Sequence, residues 1–286
     1  MAYVSTLGFE IILQAGIYWF LVFGLWISLR VLRYPDLALE NLLTAGAMLT
    51  CVGFTATAGG VFGLVAKLVF FALAIGFLAF FFWRVLSIHP VIVSLILSYL
   101  IYSAILYKFG PNVSGDGLWR LGKTWKSVLL IYSTIAIVSG LLFAFQRSLA
   151  GRRFIAVACN PDLAKAMGMR TWLYQIGGLV LGVVLTQVSG LFHASYYGYA
   201  NISDSTGFLL IAIFAVFLAQ AFYPRVHFIL NSICCLAGLI LFNLALNAAI
   251  EFGLPPSLTK GGIGLALAVL LVMSRWRKTA HPIQIG

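Results

Sequence analysis

The chain is dominated by apolar stretches that are long enough, or nearly long enough, to cross a lipid bilayer. A membrane-crossing α-helix needs about 20 apolar residues. The stretches lie at 7–29, 38–58, 61–82, 90–107, 127–147, 172–192, 206–223 and 228–250, with a shorter ninth at 258–274. They lack the alternation of barrel strands, and only helices or closed barrels satisfy their backbone in lipid. We therefore predict an all-α, polytopic transmembrane bundle of about 8 to 9 spans.

The composition agrees with a membrane protein that consists of one domain, residues 1–286. Hydrophobic residues make up 62% of the chain and charged residues 9%, far from the average of soluble domains. The polar connections are too short to form a nucleotide-binding or enzymatic domain. The four cysteines and four histidines lack the spacing of a disulfide framework, a metal site or a catalytic group. We therefore expect no catalytic residue, cofactor or metal in this chain.

The positive charge is interpreted first as a signal of membrane topology. In a membrane protein, the positions of the basic residues behind the net charge of +11 first indicate how the chain is oriented in the membrane. We do not expect nucleic acid as a partner. With the N-terminus outside, most of the 18 Lys and Arg residues fall on the cytoplasmic side: Arg30, Arg33, Arg84, Arg147, Arg152, Arg153, Lys165, Arg170, Arg225, Arg275, Arg277 and Lys278. The basic loop 107–127 is an outside exception. We predict an outside N-terminus, a cytoplasmic C-terminus and a cytoplasmic segment 148–171.

Segment 148–171 carries the signals of a short helix. Asn160 is a favourable N-cap, Pro161 suits the first helical position, and Asp162 complements the positive helix end. Gly168 can end the helix about two turns later. A short helix is therefore expected between two membrane spans.

The expected helix offers a small apolar face. Leu163, Ala164 and Met167 fall at one-face spacing. One use of this face is to lie on lipid headgroups, with which the neighbouring arginines interact favourably. The other use is to dock in a cleft of a second protein, which then moves the attached spans. The three arginines are Arg152, Arg153 and Arg170.

Two parts of the sequence resemble a known family. The region from 151 to 222, with Arg153, Asn160, Pro161, Ala164 and Gly168, is similar to the coupling-helix region of permease subunits of ABC importers of the branched-chain amino acid and ribose type. Alanine replaces the usual middle glycine of that region. The start of the second apolar stretch also resembles this family, through Arg30, Pro35, Asp36, Leu37 and Gly46. The similarity is closest to the branch described as tryptophan/tyrosine importer permeases.

The resemblance implies a function and a set of partners. The chain is expected to be the membrane-spanning permease subunit of an ATP-driven ABC importer in a bacterial inner membrane, translocating an amino acid or a similar small solute. Implied partners are cytoplasmic ABC ATPase subunits that bind ATP and Mg, a second permease copy in a homodimer, an extracytoplasmic solute-binding protein, and membrane lipid. Residues implied in ATPase coupling are Arg153, Asn160, Pro161, Asp162, Leu163, Ala164, Met167 and Gly168. An ion-coupled secondary transporter of a small polar solute is the alternative.

Polar residues inside the apolar stretches are the candidates for a transport path or gate, because such residues are expensive in lipid. Asp36 and Glu40 either pair with Arg30 or Arg33 at the interface or belong to an irregular helix start over 35–41 that lines the pore. Two asparagines one turn apart are expected to bond to a neighbouring helix or to line the path. The complete set is Asp36, Glu40, Asn41, Gln187, Asn243 and Asn247.

Two further patterns concern packing and the membrane surface. Runs of small residues over 43–53 and 177–190 predict closely packed helices. The aromatic-rich stretch 190–205 contains Tyr196, Tyr197 and Tyr199, which predict an interfacial belt or a contact with the binding protein.

Overall fold

The computed structural model describes residues 2–54, 58–115, 120–122, 124–223, 227–251, 261–262 and 264. Nearly all of the ninth predicted stretch, 258–274, lies outside these residues. The described helices are α1 Ala2–Trp26, α2 Leu39–Gly53, α3 Ala58–Phe80, α4 Pro90–Phe109, α5 Trp125–Arg147, α6 Leu149–Cys159, α7 Pro161–Ala166, α8 Thr171–Tyr197, α9 Phe208–Phe222 and α10 Phe228–Glu251. Two short strands, β1 Asn112–Ser114 and β2 Tyr199–Asn201, and two π-helical turns after α1 and α3 complete the described elements.

Each of the eight longer predicted stretches coincides with a helix, which confirms a polytopic helical membrane protein. Within the part of the chain that the structure describes, six helices are long and apolar enough to cross a membrane: Gly8–Val31, Gly59–Val85, Pro90–Phe109, Trp125–Arg147, Thr171–Tyr197 and Phe228–Ala248. The helices α2 and α9 have 15 residues each. At 1.5 Å per residue such a helix covers only about 22 Å of the roughly 30 Å hydrocarbon core. Neither therefore spans the core as a straight helix on its own.

The starts of α2 and α9 lie side by side. The predicted alternation of spans placed residue 38 on the inner face and residue 206 on the outer face, yet Gly207 hydrogen bonds to Glu40. The two starts therefore cannot lie on opposite faces, and this detail of the predicted topology is wrong. After the helical turn that ends at Val31, the chain is non-helical over 32–38. An extended segment covers up to about 3.3–3.6 Å per residue, so 32–38 can carry the start of α2 away from the end of the preceding helix.

The helix α8 packs against α1, α2 and α3 through small residues, as the glycine-rich runs predicted. A Cβ atom at Gly46 would lie 2.7 Å from the Cα of Gln187, and one at Gly190 would lie 2.3 Å from the carbonyl oxygen of Leu43. Glycine is required at both positions because the backbones of α2 and α8 are nearly in contact. These two helices therefore form a tightly joined pair.

The helix α1 is enclosed by the others. Trp19, Phe20, Phe23 and Trp26 are fully buried, and the ring centroids of Trp19 and Phe23 lie 4.9 Å apart. By contrast, α3, α4 and α5 present many exposed apolar side chains. Lipid solvates such side chains, so α1 and α8 form the interior of the bundle and α3 to α5 lie at its periphery.

The helices α1 and α3 end in the same way. Each continues into a π-helical turn, Ile27–Val31 and Phe81–Val85, that contains Arg-Val before a leucine, and each turn precedes a left-handed residue, Arg33 (φ 56°) and Ser87 (φ 54°). The sequence analysis did not anticipate this repeat. The backbone hydrogen bonds correspond one to one: Leu32 N to Ile27 O, Leu86 N to Phe81 O, Tyr34 N to Ser28 O, and Ile88 N to Phe82 O.

A small two-stranded antiparallel sheet, also not predicted, marks one end of the bundle. The strands β1 and β2 pair antiparallel, with Asn112 opposite Asn201. The N–H of Leu121 donates to the carbonyl of Ser195 at 2.8 Å, so the loop after β1 lies on the end of α8. Because α6 and α7 precede α8 while β2 follows it, they lie at the opposite end. We call these the hairpin end and the α7 end.

Replacing Gly190 by alanine should destabilise the protein, because the added methyl group overlaps the backbone of α2. The expected cost is about 1–3 kcal/mol. Thermal unfolding of the purified chain in detergent measures it. Gly177→Ala in the same helix is the control, because no atom lies within 4 Å of its added Cβ. Equal thermal stability of the two variants would contradict the close α2–α8 contact.

Candidate functional site

The short helix predicted after Asn160 is present as α7. The Asn160 side-chain oxygen accepts from the N–H of Leu163 at 3.1 Å, and Pro161 occupies the first turn. Gly168 adopts φ +78° just after the helix ends, which a residue with a Cβ adopts only with strain. The preceding helix α6 was not predicted. Its N-cap is Ser148, whose hydroxyl accepts from the N–H of Gly151.

The faces of α7 differ from the prediction at one residue. Leu163 and Met167 are exposed, at 56% and 68%, while Ala164 is only 2% exposed. Positions one helical turn apart share a face, whereas Ala164 is rotated by about 100° from Leu163 toward the rest of the chain. The expectation that all three residues share the offered face is therefore wrong for Ala164. The exposed apolar surface consists of Leu163 and Met167.

Two arginines flank this surface. Arg153 of α6 and Arg170, which precedes α8, line a shallow cavity of about 430 Å³ together with Met167 and Gly168. Both arginines are exposed. The α7 end therefore presents two apolar side chains beside positive charge.

The two repeated helix ends contact the α6–α7 segment. Arg33, after α1, donates a hydrogen bond to the carbonyl of Cys159 at 3.2 Å, at the C-terminal end of α6, where a cation is favoured. Arg84, at the end of α3, interacts electrostatically with Asp162 in the first turn of α7. The guanidinium of Arg84 also lies 4.3 Å from the centre of the Trp83 ring. The α6–α7 segment is therefore hydrogen bonded to the chain after α1, and Arg84 at the end of α3 lies within electrostatic range of it.

Asp36 and Glu40 have different structural roles. The Asp36 carboxylate accepts from the N–H of Ala38 at 3.0 Å and is buried at the start of α2. One carboxylate oxygen of Glu40 accepts from the N–H groups of Gly207 and Leu209, at 2.8 and 3.0 Å. These groups form the positive end of α9, which stabilises a carboxylate without a basic side chain. An irregular helix start was one of the two alternatives for this region, and residues 33–38 are indeed non-helical, but the contact with α9 was not predicted.

The neighbours of Glu40 continue the polar contact between helices. The side-chain N–H group of Asn41 donates to both the carbonyl and the hydroxyl of Ser98, which joins α2 to α4. The hydroxyls of Thr44 and Ser205 are hydrogen bonded to each other. The start of α2 is therefore tied by polar side chains to α4 and to the turn before α9.

The deeper polar candidates are not brought together. The side-chain N–H groups of Asn243 and Asn247 each donate to a backbone carbonyl one turn back in α10. These N–H groups therefore do not bond to a neighbouring helix, which was one of their two predicted uses. Gln187 is 1% exposed, and within the described part of the chain neither its side-chain oxygen nor its nitrogen has a hydrogen-bond partner. Such a group is costly inside an apolar bundle.

Sequence reasoning missed an aromatic pocket at the hairpin end. It encloses about 180 Å³, and its walls come from α1, α8, β2 and the start of α9. The hydroxyl of Tyr18 and Nδ1 of His193 are hydrogen bonded at 3.1 Å, across 175 residues of sequence. The predicted belt tyrosines Tyr197 and Tyr199 are part of this pocket. The lining residues are Tyr18, His193, Tyr197, Tyr199, Asp204 and Phe208.

Asp204 is the acidic member of the pocket. It lies in the turn that joins β2 to α9, and partial burial raises the pKa of its carboxyl, while a backbone hydrogen bond from Asn201 opposes that change. The only signal in the sequence was the aromatic-rich stretch 190–205, which does not reveal that Tyr18 completes the pocket.

An apolar helical bundle that contains interrupted helices and buried polar side chains is typical of membrane transport proteins. Comparison with known proteins identifies the family. The family described as branched-chain amino acid transport system, permease component, matches residues 8–273. The chain belongs to this permease family. It is the membrane-spanning permease component of an ABC importer of the branched-chain amino acid type, and it is not itself catalytic, as predicted.

Two relatives match most of the chain. An uncharacterized protein of Rickettsia prowazekii (strain Madrid E) is 25% identical over 264 residues, which cover 88% of this chain and 91% of the relative. The tyrosine transport system permease protein of Clostridioides difficile (strain R20291) is 22% identical over 252 residues, covering 86% and 83%. No solved structure matches the chain significantly.

Removing the carboxylate of Glu40 should weaken the contact between α2 and α9. Glu40→Ala leaves the first N–H groups of α9 without their acceptor, at an expected cost of about 1.5–3 kcal/mol. Glu40→Gln should cost less because the amide oxygen can still accept. Thermal unfolding of the purified chain measures both effects. Glu251→Ala, at an exposed acid in α10, is the control, and equal stability of Glu40→Ala and this control would refute the role of Glu40.

Proposed function

We propose that α7 is the coupling helix on which a cytoplasmic ABC ATPase docks. The observation that carries this proposal is the exposure of Leu163 and Met167 on a helix whose two ends are fixed by Asn160 and Gly168. Apolar side chains that remain exposed beside charged ones are typical of a contact with another protein. ATP and Mg are then bound by the ATPase, not by this chain.

A docking role of α7 implies an orientation of the bundle in the membrane and a set of further partners. The α7 end faces the cytoplasm of a bacterial cell, and the hairpin end faces the solute-binding protein outside. A second copy of the chain completes the pore, and the whole of 1–286 forms one permease domain in the inner membrane. The peripheral helices α3 to α5 supply apolar surface for lipid.

The contacts of α6 and α7 supply a route by which docking moves the bundle. Arg33 connects the end of α6 to the end of α1 by a hydrogen bond, and Arg84 at the end of α3 attracts Asp162 of α7 electrostatically. The chain also runs from α7 into α8 within a few residues, and α8 is packed tightly on α2. Closure of the ATPase therefore biases the bundle between two packings, which is the mechanism of alternating access.

The proposed solute is an aromatic amino acid or a similar small molecule. Two observations support this choice: one relative is named a tyrosine transport permease, and the pocket at the hairpin end is lined by aromatic side chains. Candidates for the path or gate are Asp36, Glu40, Asn41, Gln187, Asn243 and Asn247. Of these, Gln187 has unused hydrogen-bonding capacity, and Glu40 lies at the junction of α2 and α9.

The double variant Leu163→Asp, Met167→Asp should release the ATPase, because burying two carboxylates in an apolar cleft is unfavourable. The measurement is copurification from native membranes in mild detergent. The bound protein is identified by its nucleotide-binding motif and by ATP hydrolysis. Lys165→Asp places an acid on the opposite face of α7 and should retain the ATPase. Absence of an ATPase from the unchanged chain, even after crosslinking in membranes, would refute the docking role.

Arg33→Gly should separate docking from transport. Glycine adopts the left-handed conformation of residue 33 without strain but removes the bond to Cys159. The ATPase should still copurify, while solute uptake into proteoliposomes falls by about tenfold, the effect of losing about 1.4 kcal/mol of coupling. Ser87→Gly, at the corresponding position of the repeated helix end, is the matched control. Uptake reduced equally in both variants would show that the helix ends, and not the Arg33 contact, determine coupling.

A further inference from the structure

The aromatic pocket at the hairpin end combines ring faces with a single carboxylate. The ring centroids of Tyr18 and Phe208 lie 4.3 Å apart, and those of His193 and Tyr197 lie 4.6 Å apart. Tyr18 and His193 are almost completely buried, while Tyr197 and Tyr199 are 39% and 41% exposed. The pocket therefore has a rigid inner wall and an accessible mouth.

The lining of the pocket contains one acidic side chain, Asp204, while the guanidinium of Arg120 lies outside the lining, beside Gly198 at the mouth. Asp204 interacts electrostatically with the hydroxyls of Tyr18 and Tyr197. The described residues place no cationic side chain among the lining of the pocket. The faces of the tyrosine rings are also electron-rich. A carboxylate beside aromatic faces is a favourable place for an organic cation.

The size and walls of the pocket restrict the rest of the ligand. A cavity of about 150 Å³ is sufficient to hold benzene, so about 180 Å³ admits one aromatic ring. Rings pack well against Tyr18 and Phe208 in offset or edge-on arrangements. The Tyr18 hydroxyl is already hydrogen bonded to His193, which fixes the orientation of both walls.

We propose that this pocket binds a small aromatic amine, with the protonated amino group between Asp204 and the rings of Tyr197 and Tyr199 and the aromatic ring against Tyr18 and Phe208. That the natural ligand is the imported solute rests on the proposed function. The site itself rests on the geometry of the pocket.

The pocket is joined to the α2–α9 junction. Phe208 lies between Gly207 and Leu209, the two residues whose N–H groups bond to Glu40. A ligand that packs on Phe208 therefore contacts the same helix start that Glu40 holds. Binding at the hairpin end is thereby connected to α2.

The test measures binding of three probes to the full-length chain in nanodiscs, together with the partners that copurify. Tyramine has both an amine and a ring, 4-hydroxyphenylpropionate has the ring and no amine, and n-butylamine has the amine and no ring. Tyramine should bind about tenfold or more tightly than either of the others, since only it engages both the carboxylate and the rings. Calorimetry or saturation-transfer NMR gives the dissociation constants.

Asp204→Asn should reduce tyramine affinity about tenfold, because the amine loses its carboxylate partner, and should not weaken binding of 4-hydroxyphenylpropionate, whose own carboxylate Asp204 repels. Asp204→Glu should restore part of the affinity. Thr206→Ala, an exposed position in the same turn, should bind tyramine normally. Thermal unfolding verifies that each variant is folded, and the Phe208→Leu variant tests the ring contact independently.

Equal binding of tyramine and 4-hydroxyphenylpropionate, or unchanged tyramine binding by folded Asp204→Asn, would overturn the proposal. ATPase copurification is measured in the same preparation. An ATPase without tyramine binding refutes the pocket and leaves the importer proposal intact. Tyramine binding without an ATPase supports the pocket and refutes the docking role of α7.

Discussion

The carboxylate of Glu40 joins the two helices of the bundle that are too short to cross the membrane as straight helices. A charge in an apolar bundle is expensive unless it is paired, and the first N–H groups of a helix are equally expensive when they lack acceptors. The carboxylate of Glu40 accepts from the N–H groups of Gly207 and Leu209, so the charge and the helix start are both satisfied. This contact allows α2 to begin after a non-helical segment and α9 to begin beside it.

The contact also explains how distant parts of the bundle are connected. The helix α8 runs from the α7 end to the hairpin end, and its glycines bring its backbone close to that of α2. Close-packed helices move as one body more readily than they separate. Arg33 is hydrogen bonded to the end of α6, and Arg84 at the end of α3 interacts electrostatically with Asp162 of α7. In the proposed docking role, displacement of α7 is transmitted to the α2–α9 junction through these packed helices.

Features set by neighbours in sequence could be predicted from the sequence, whereas contacts across the fold could not. The caps at Asn160 and Gly168 depend on residues within about four positions, and both are present. The partner of Glu40 lies 167 residues away, so periodicity and spacing contain no trace of it. The burial of Ala164 depends on how α7 lies against its neighbours. The repeated Arg-Val-Leu is visible in the sequence, but three residues are too few to indicate the π-helical ends.

Phe208 belongs both to the aromatic pocket and to the junction held by Glu40. The N–H groups of both neighbours of Phe208 are bonded to the carboxylate of Glu40 in α2. The start of α9 therefore moves together with α2 unless these two charge-assisted hydrogen bonds break. Breaking them leaves a carboxylate and two N–H groups unsatisfied, which is more costly than moving the helices together. A ligand can shift the bundle only by its differential affinity for the two packings. The wall formed by Phe208, which is joined to α2, is therefore where a ligand of the pocket would bind the two packings with different affinity.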